Sequence, residues 1–183
     1  MIRWDAIRCK LGAAMMAEWD RRGICWLSLA ETLSDVKRQQ HQLVAMASAI
    51  MGDQPQLCRD ANLRDDLEAI LSEVEVGKSP PQRPLFLHGT DFQRRVWSAL
   101  LEIPPGVTRS YSDVASQLGR PGCQRAVAQA CARNRIALLI PCHRLIGSDG
   151  RLRGYRWGID RKQRLLQWEQ QAVGDQQNRI SIR

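Results

Sequence analysis

The sequence predicts a mixed α/β (α+β) chain in two parts: a small α/β portion over residues 1–83 and a mainly helical portion over residues 84–170 that carries a helix-turn-helix. Three observations lead there. Hydrophobic residues make up 44% of the 183 and charged residues 25%, ordinary globular usage for one large or two small domains. Ser79-Pro80-Pro81-Gln82-Arg83-Pro84 reads as a linker. Charge divides near the same point: residues 1–88 hold 11 Lys+Arg against 12 Asp+Glu, whereas residues 89–170 hold 14 against 6, and 13 of those 14 cations are Arg.

In chain order, the apolar run Leu11–Glu18, the turn Asp20-Arg21-Arg22-Gly23 and the run Ile24–Leu29 suit two strands around a turn. Thr32 or Ser34 caps a helix through Ile50 that Gly52 ends, with Val36, Leu43, Val44, Ala47 and Ile50 at helical spacing. A second helix spans Asn62–Val76 and stops at Gly77. Beyond the linker, Thr90 or Asp91 caps a helix through Ile103, with Phe92, Val96, Trp97, Leu100 and Leu101 inward, and Pro104-Pro105-Gly106 breaks it. Ser112 caps a short helix, Asp113–Leu118; Gly119-Arg120-Pro121-Gly122 turns the chain; Cys123–Asn134 forms the next helix. Ala115 and Gly119 suit a close approach of the two helices. Residues after Glu169 are polar, and 171–183 read as a flexible tail.

No stretch offers 18 unbroken apolar residues, and the start MIRWDAIRCK lacks the apolar centre of a secretion signal. The six cysteines form no C-x-x-C pair and no Cys/His cluster of structural-zinc spacing, so reduced thiols in a cytoplasmic protein, with no metal and no cofactor, are expected. The basic second half suggests a nucleic-acid surface; a basic domain with no polyanion partner is the other reading. On the second helix of the helix-turn-helix, Gln124, Arg125, Gln129 and Arg133 can meet phosphates and bases, or simply face solvent.

The segment Ile136–Arg144 carries the chemistry. An apolar run enters the core, Pro141 ends regular structure, and Cys142, His143 and Arg144 follow directly. A thiol is a strong nucleophile only as thiolate, which a neighbouring base or positive charge favours. From the residues alone Cys142 is either such a nucleophile or a buried structural cysteine.

Pro141-Cys142-His143-Arg144 resembles the active-site motif of the O6-alkylguanine-DNA alkyltransferases (methylated-DNA–protein-cysteine methyltransferases). The resemblance extends over residues 89–170: Phe92-Gln93-x-x-Val96-Trp97, Ile103-Pro104-x-Gly106, Ser110-Tyr111-x-x-Val114-Ala115, Gly119-x-Pro121, Arg125-Ala126-Val127, Asn134, Gly154-Tyr155-Arg156-Trp157-Gly158 and Lys162-x-x-Leu165-Leu166-x-x-Glu169 occur in family order and spacing. The Gly-Tyr-Arg-Trp-Gly version is most similar to the alkyltransferase part of bacterial adaptive-response proteins. Residues 1–88 match more weakly, around Arg22-Gly23-Ile24-Cys25.

The resemblance implies a ribonuclease-H-like first domain and a winged helix-turn-helix second domain. It implies that Cys142 takes the alkyl group from O6-alkylguanine in double-stranded DNA, and from O4-alkylthymine as a further substrate, irreversibly and once per molecule. His143 would be the base, reaching the thiol through a water; Glu169 would orient His143, and Asn134 would tie the turn before the active-site strand. The helix-turn-helix would enter the minor groove, with Ala126, Ala130 and Cys131 allowing close approach and Arg125 filling the space of the extruded nucleotide. Tyr111 would press on the target phosphate and touch the base. Tyr155 would form a pocket wall, and the Arg156 N–H would face O6. Carbonyls near Cys142 and Leu145 would accept from the guanine amino group, with Arg144 among the substrate-binding residues. Arg156 stands where other branches carry Ser, which bears on pocket size. Nothing in residues 1–88 resembles a zinc-bound phosphotriester-repair domain, so no transcriptional role is expected, and the resemblance implies a monomer. A non-catalytic alkyltransferase-like lesion sensor is the main rival; a helix-turn-helix regulator or a cysteine hydrolase leaves more residues unexplained.

Overall fold

The computed structural model describes residues 1–180, with side chains through residue 175. The chain divides into two compact units: one of residues 1–71, 81–87 and 135–137, the other of residues 72–80, 88–134 and 138–183. The single cut at residue 83 is thus replaced by an interleaved division, for a reason visible in the sheet.

The first unit is built on a four-stranded sheet of order β3-β2-β1-β4, from β1 (Ile2–Cys9), β2 (Gly12–Trp19), β3 (Gly23–Ala30) and β4 (Leu57–Arg59). β1 and β2 form a tight antiparallel hairpin in which Cys9 pairs with Gly12 and Ile2 with Trp19. β2 and β3 are antiparallel with a bulge at Ala17/Glu18, and β4 runs parallel to β1. All eight residues of β3 are buried although it ends the hydrogen-bonded strand order. Two distant segments cover its free edge: Ile24 bridges to Leu85, and Leu27 bridges to Ile136 with Leu27 N–H donating to Arg135 O at 2.9 Å and Ala137 N–H to Leu27 O at 2.7 Å. Burial of side chains on both faces of β3 accounts for the continuous run GICWLSLA in place of an alternating pattern, and the edge pairing satisfies its backbone. The end of the Pro-rich stretch is likewise held: Ile24 N–H donates to Pro84 O at 2.8 Å. Gly23 is required there, because its φ is 101° and a Cβ would stand 2.3 Å from Pro84 O.

Helix α1 (Val36–Met51) lays Val36, Leu43, Met46 and Ala47 against Ile2, Met15, Trp19 and Trp26. α2 (Ala61–Glu75) follows β4. β1 and β4 were not foreseen. One buried residue of β1 is an acid: Asp5, 2% exposed, accepts from Ala6 N–H at 2.8 Å, Arg59 Nε at 2.9 Å and Arg64 Nε at 3.2 Å. Burial raises its carboxyl, but those three donors outweigh it and hold it below its usual value.

In the second unit, α3 (Asp91–Leu101) starts at a capping box in which Gln93 N–H donates to Thr90 Oγ1 and Thr90 N–H to Gln93 Oε1. α4 (Tyr111–Gln117) and α5 (Gln124–Arg133) form the helix-turn-helix. The cap of α4 is Ser110 rather than Ser112: Asp113 N–H donates to Ser110 Oγ at 3.0 Å and Ser110 N–H to Asp113 Oδ2 at 2.9 Å. Gly119 has φ 71° with open space where a Cβ would be, so the turn's backbone and not helix approach requires it. Val96, Trp97, Leu100, Val114, Ala115, Val127 and Ala130 are buried, and Trp97 Nε1–H donates to Ala130 O at 3.0 Å. A short parallel pair, β5 (Arg109–Ser110) and β6 (Leu145–Ile146), leads on to α6 (Ile159–Ile180). The tail expected from residue 171 is helical as far as Ile180; residues 181–183 lie outside the described residues. No helix among the described residues is long and apolar enough to cross a membrane.

Candidate active site

Residues 138–145 are buried without interruption. Leu138 has φ 67°, a left-handed conformation that a branched residue adopts at a cost of about 1 kcal/mol. Cys142 opens a 3-10 turn, Cys142–Arg144, and is 2% exposed. Asn134, which caps the C-terminus of α5 and is 1% exposed, donates from Nδ2 to Ile140 O at 3.3 Å and to Cys142 Sγ at 3.1 Å. The side chain expected to tie backbone therefore also touches the Cys142 sulfur.

His143 and Glu169 meet inside the protein, with Nε2 2.9 Å from Oε1. The same oxygen accepts from Arg144 Nε at 3.0 Å and Nη2 at 2.8 Å, and Gly106 N–H donates to Oε2 at 3.0 Å. Burial raises the Glu169 carboxyl, but its bonds to His143 and Arg144 prevail and hold it at about 2. Burial lowers His143, and Arg144 and Lys162 add to this against the pull of Glu169. A neutral imidazole beside a carboxylate must carry its proton on Nε2, which leaves Nδ1 as a lone pair. Nδ1 is buried and has no protein partner among the described residues. That is the arrangement of a base ready to accept a proton.

The Arg144 side chain is 5% exposed and spends its donors on Glu169 and on Ile103 O, so it holds the acid in place. Leu145 O already accepts from Lys162 Nζ. Lys162, fully buried, was overlooked as a site residue: it also donates to Arg153 O at 3.2 Å and lies 5.8 Å from the Tyr111 ring centre. Burial lowers its ammonium to about 8, against the attraction of the Cys131 and Cys142 sulfurs. A signal was present, since Lys162, Leu165, Leu166 and Glu169 follow i, i+3, i+4, i+7 spacing and so share the inward stripe of α6.

A cavity of about 570 Å³ opens at Cys142, within the size range of ligand sites. Tyr111, Arg125, Cys131, Tyr155 and Arg156 line it. Burial pushes the Tyr111 hydroxyl up to about 12. The Tyr155 ring stands edge-on to His143 at 6.3 Å and to Trp157 at 5.2 Å, and its buried hydroxyl has no partner among the described residues. Arg125 is exposed; Arg156 is exposed and donates from Nη1 to Ala132 O at 2.9 Å. Of the small residues expected to allow close approach, Ala126 is half-buried, Ala130 is 1% exposed and Cys131 8%. Ala128 and Ala132, one turn apart, line the cavity together with Cys131.

A buried Cys-His-Glu set beside a helix-turn-helix defines a DNA alkyltransferase-like architecture. A family profile for the 6-O-methylguanine DNA methyltransferase DNA-binding domain matches residues 91–171. The Escherichia coli bifunctional transcriptional activator/DNA repair enzyme Ada is 38% identical over 168 residues, 92% of this chain and 45% of Ada. A Mycobacterium tuberculosis methylated-DNA–protein-cysteine methyltransferase is 58% identical over 85 residues, 46% of this chain and 52% of that protein. The chain thus spans about half the length of the curated relatives it matches. Among solved structures, Mycobacterium tuberculosis OGT in complex with DNA superposes with a TM-score of 0.71 at 33% identity, covering 93% of this chain and 94% of that one. The chain belongs to the O6-methylguanine-DNA methyltransferase family.

Proposed function

We propose that this protein repairs O6-alkylguanine in double-stranded DNA by moving the alkyl group to Cys142 Sγ, once per molecule. The observation that carries this is the buried Cys142–His143–Glu169 set at the wall of a cavity large enough for an extruded base. His143 Nδ1 takes the thiol proton through a bridging water, and Glu169 stabilises the imidazolium. The thiolate attacks the alkyl carbon opposite O6; the C–S bond forms as the C–O6 bond breaks, and its electron pair stays with guanine. The proton taken from the thiol returns to the base, which leaves neutral. A thioether forms, and nothing in the site regenerates the thiol.

The target lies inside a duplex, so the base must leave the stack. Arg125, exposed at the cavity mouth, fills the vacated space, and Tyr111 and Tyr155 wall the pocket. The basic second half holds the phosphates. The chain works as a monomer on the minor-groove side, in the cytoplasm, with the first unit as a supporting domain.

Incubation with a duplex carrying O6-methylguanine is expected to add one methyl group to the peptide containing Cys142, in proportion to lesion, and Cys142→Ala to abolish it. Lesion binding without a mass gain would mark a sensor instead.

A further inference from the structure

The cavity wall holds a second thiol that alkyl transfer does not use. Cys131 lies on the last turn of α5, three positions before Asn134, so the two share a helix face. Asn134 Nδ2 touches Cys142 Sγ at 3.1 Å, which places Cys131 beside the same sulfur. Cys131 and Cys142 line one cavity and both are buried. Cys9, Cys25, Cys58 and Cys123 do not line it. The two thiols are not equivalent. The neighbouring Cys142 and burial push the Cys131 thiol well above its ordinary value, so it stays protonated. Cys142 faces the Asn134 amide and the Lys162 ammonium. Cys142 is therefore the thiol that reacts first with a small electrophile entering the cavity.

We propose that Cys131 is a resolving thiol for Cys142, so that a peroxide entering the cavity closes the two residues into an intramolecular disulfide. The Cys142 sulfur attacks one oxygen of hydrogen peroxide; the O–O bond breaks, the leaving hydroxide departs as water with the thiol proton, and Cys142 becomes a sulfenic acid. The Cys131 sulfur then attacks the sulfenic sulfur; the S–S bond forms, the S–O bond breaks, and the hydroxyl leaves as water with the Cys131 proton. Two thiols are oxidised and one peroxide is reduced by two electrons. The disulfide halts the oxidation of Cys142 at a stage that a thiol reductant reverses, whereas the sulfinic acid that follows an unresolved sulfenic acid is not reversed in this way.

The test uses the full chain without DNA or an alkyl donor, so its outcome is separate from that of the methyl-transfer assay. After brief exposure to hydrogen peroxide and quenching, the protein is digested with trypsin under non-reducing conditions. Cleavage after Arg125, Arg133, Arg135 and Arg144 places the thiols on different peptides, Ala126–Arg133 and Ile136–Arg144. The expected product is these two peptides joined, separated again by dithiothreitol. In Cys131→Ser, Cys142 is expected to run on to sulfinic acid that dithiothreitol does not restore. Sulfinic acid at Cys142 with Cys131 free in the unsubstituted protein would overturn the proposal. So would Cys142 joined to any other cysteine, or Cys142 left unoxidised while the exposed Cys58 reacts.

Discussion

His143 Nε2 lies 2.9 Å from Glu169 Oε1 across 26 positions of sequence, and Arg144 binds the same oxygen from the next residue along. A loop residue and its neighbour thus converge on one helical carboxylate, and the charge of that carboxylate sets both the tautomer of the imidazole and the anchoring of the turn that carries Cys142.

Stability in acid should report this carboxylate. Its value of about 2, against 4.5 for the free group, means that the unfolded chain binds the proton first as pH falls. The stabilisation, about 3 kcal/mol at 1.36 kcal/mol per unit, is complete above the unfolded value and is lost as pH falls from there toward 2. Glu169→Gln should lower the urea midpoint at pH 7 and flatten its dependence on pH over that window. It should also cut the single-turnover rate of alkyl transfer, because His143 loses its orienting partner.

Lys162 carries the opposite sign. Burial lowers its ammonium from 10.5 to about 8, so between those values the unfolded chain holds more protons than the folded one. The protonated group costs the fold about 3 kcal/mol at neutral pH, and this cost is relieved as pH rises through the window. Measured by urea unfolding, the stability of the unsubstituted protein relative to Lys162→Met should increase from pH 8 toward pH 10.5. A constant difference would show that the ammonium carries no such penalty.

Asn134→Ala removes donors to Ile140 O and Cys142 Sγ, both buried. Leaving a buried acceptor unpaired costs about 1–3 kcal/mol, so the melting temperature should fall. The transfer rate should fall with it. Asn134→Asp, which is nearly isosteric but sets a carboxylate against the sulfur, should be slower still; equal rates for the two variants would argue that Asn134 acts on the backbone alone.

Arg125→Ala should weaken repair of a lesion in duplex DNA by an order of magnitude or more while leaving reaction with free O6-alkylguanine nearly unchanged, since only the duplex has a vacated space to fill. Parallel single-turnover assays on the two substrates decide this, and equal losses would remove the intercalating role.

Much of this is legible in the sequence. The Thr90 cap, the helix-turn-helix and the Pro141 stop before Cys142 follow from local chemistry that acts over a few residues. What was not legible depends on distant partners. β1 was obscured because Asp5 sits at a buried position, acceptable only once Arg59 and Arg64 arrive. Glu169 reads as a surface acid until His143 and Arg144 reach it, so its role rested on resemblance. Ser112 and Ser110 compete for one cap, and the winner is the one with Asp113 three residues on. The burial of Ala130 and Cys131 depends on distant partners as well, since Trp97 reaches α5 from another helix to donate to Ala130 O.

The covered edge of β3 bears on how this protein can be dissected. The Pro-rich stretch invites a cut near residue 83, yet β3 also pairs with Ile136, far beyond it. A fragment ending at residue 83 keeps the sheet but strips that edge of both its covering segments, leaving unpaired N–H and C=O groups along an apolar strand, which is a template for pairing with other chains. Such a fragment is expected to self-associate on expression. The two halves that differ so plainly in charge are therefore not two separable parts, and a soluble first unit requires a chain that reaches at least residue 137.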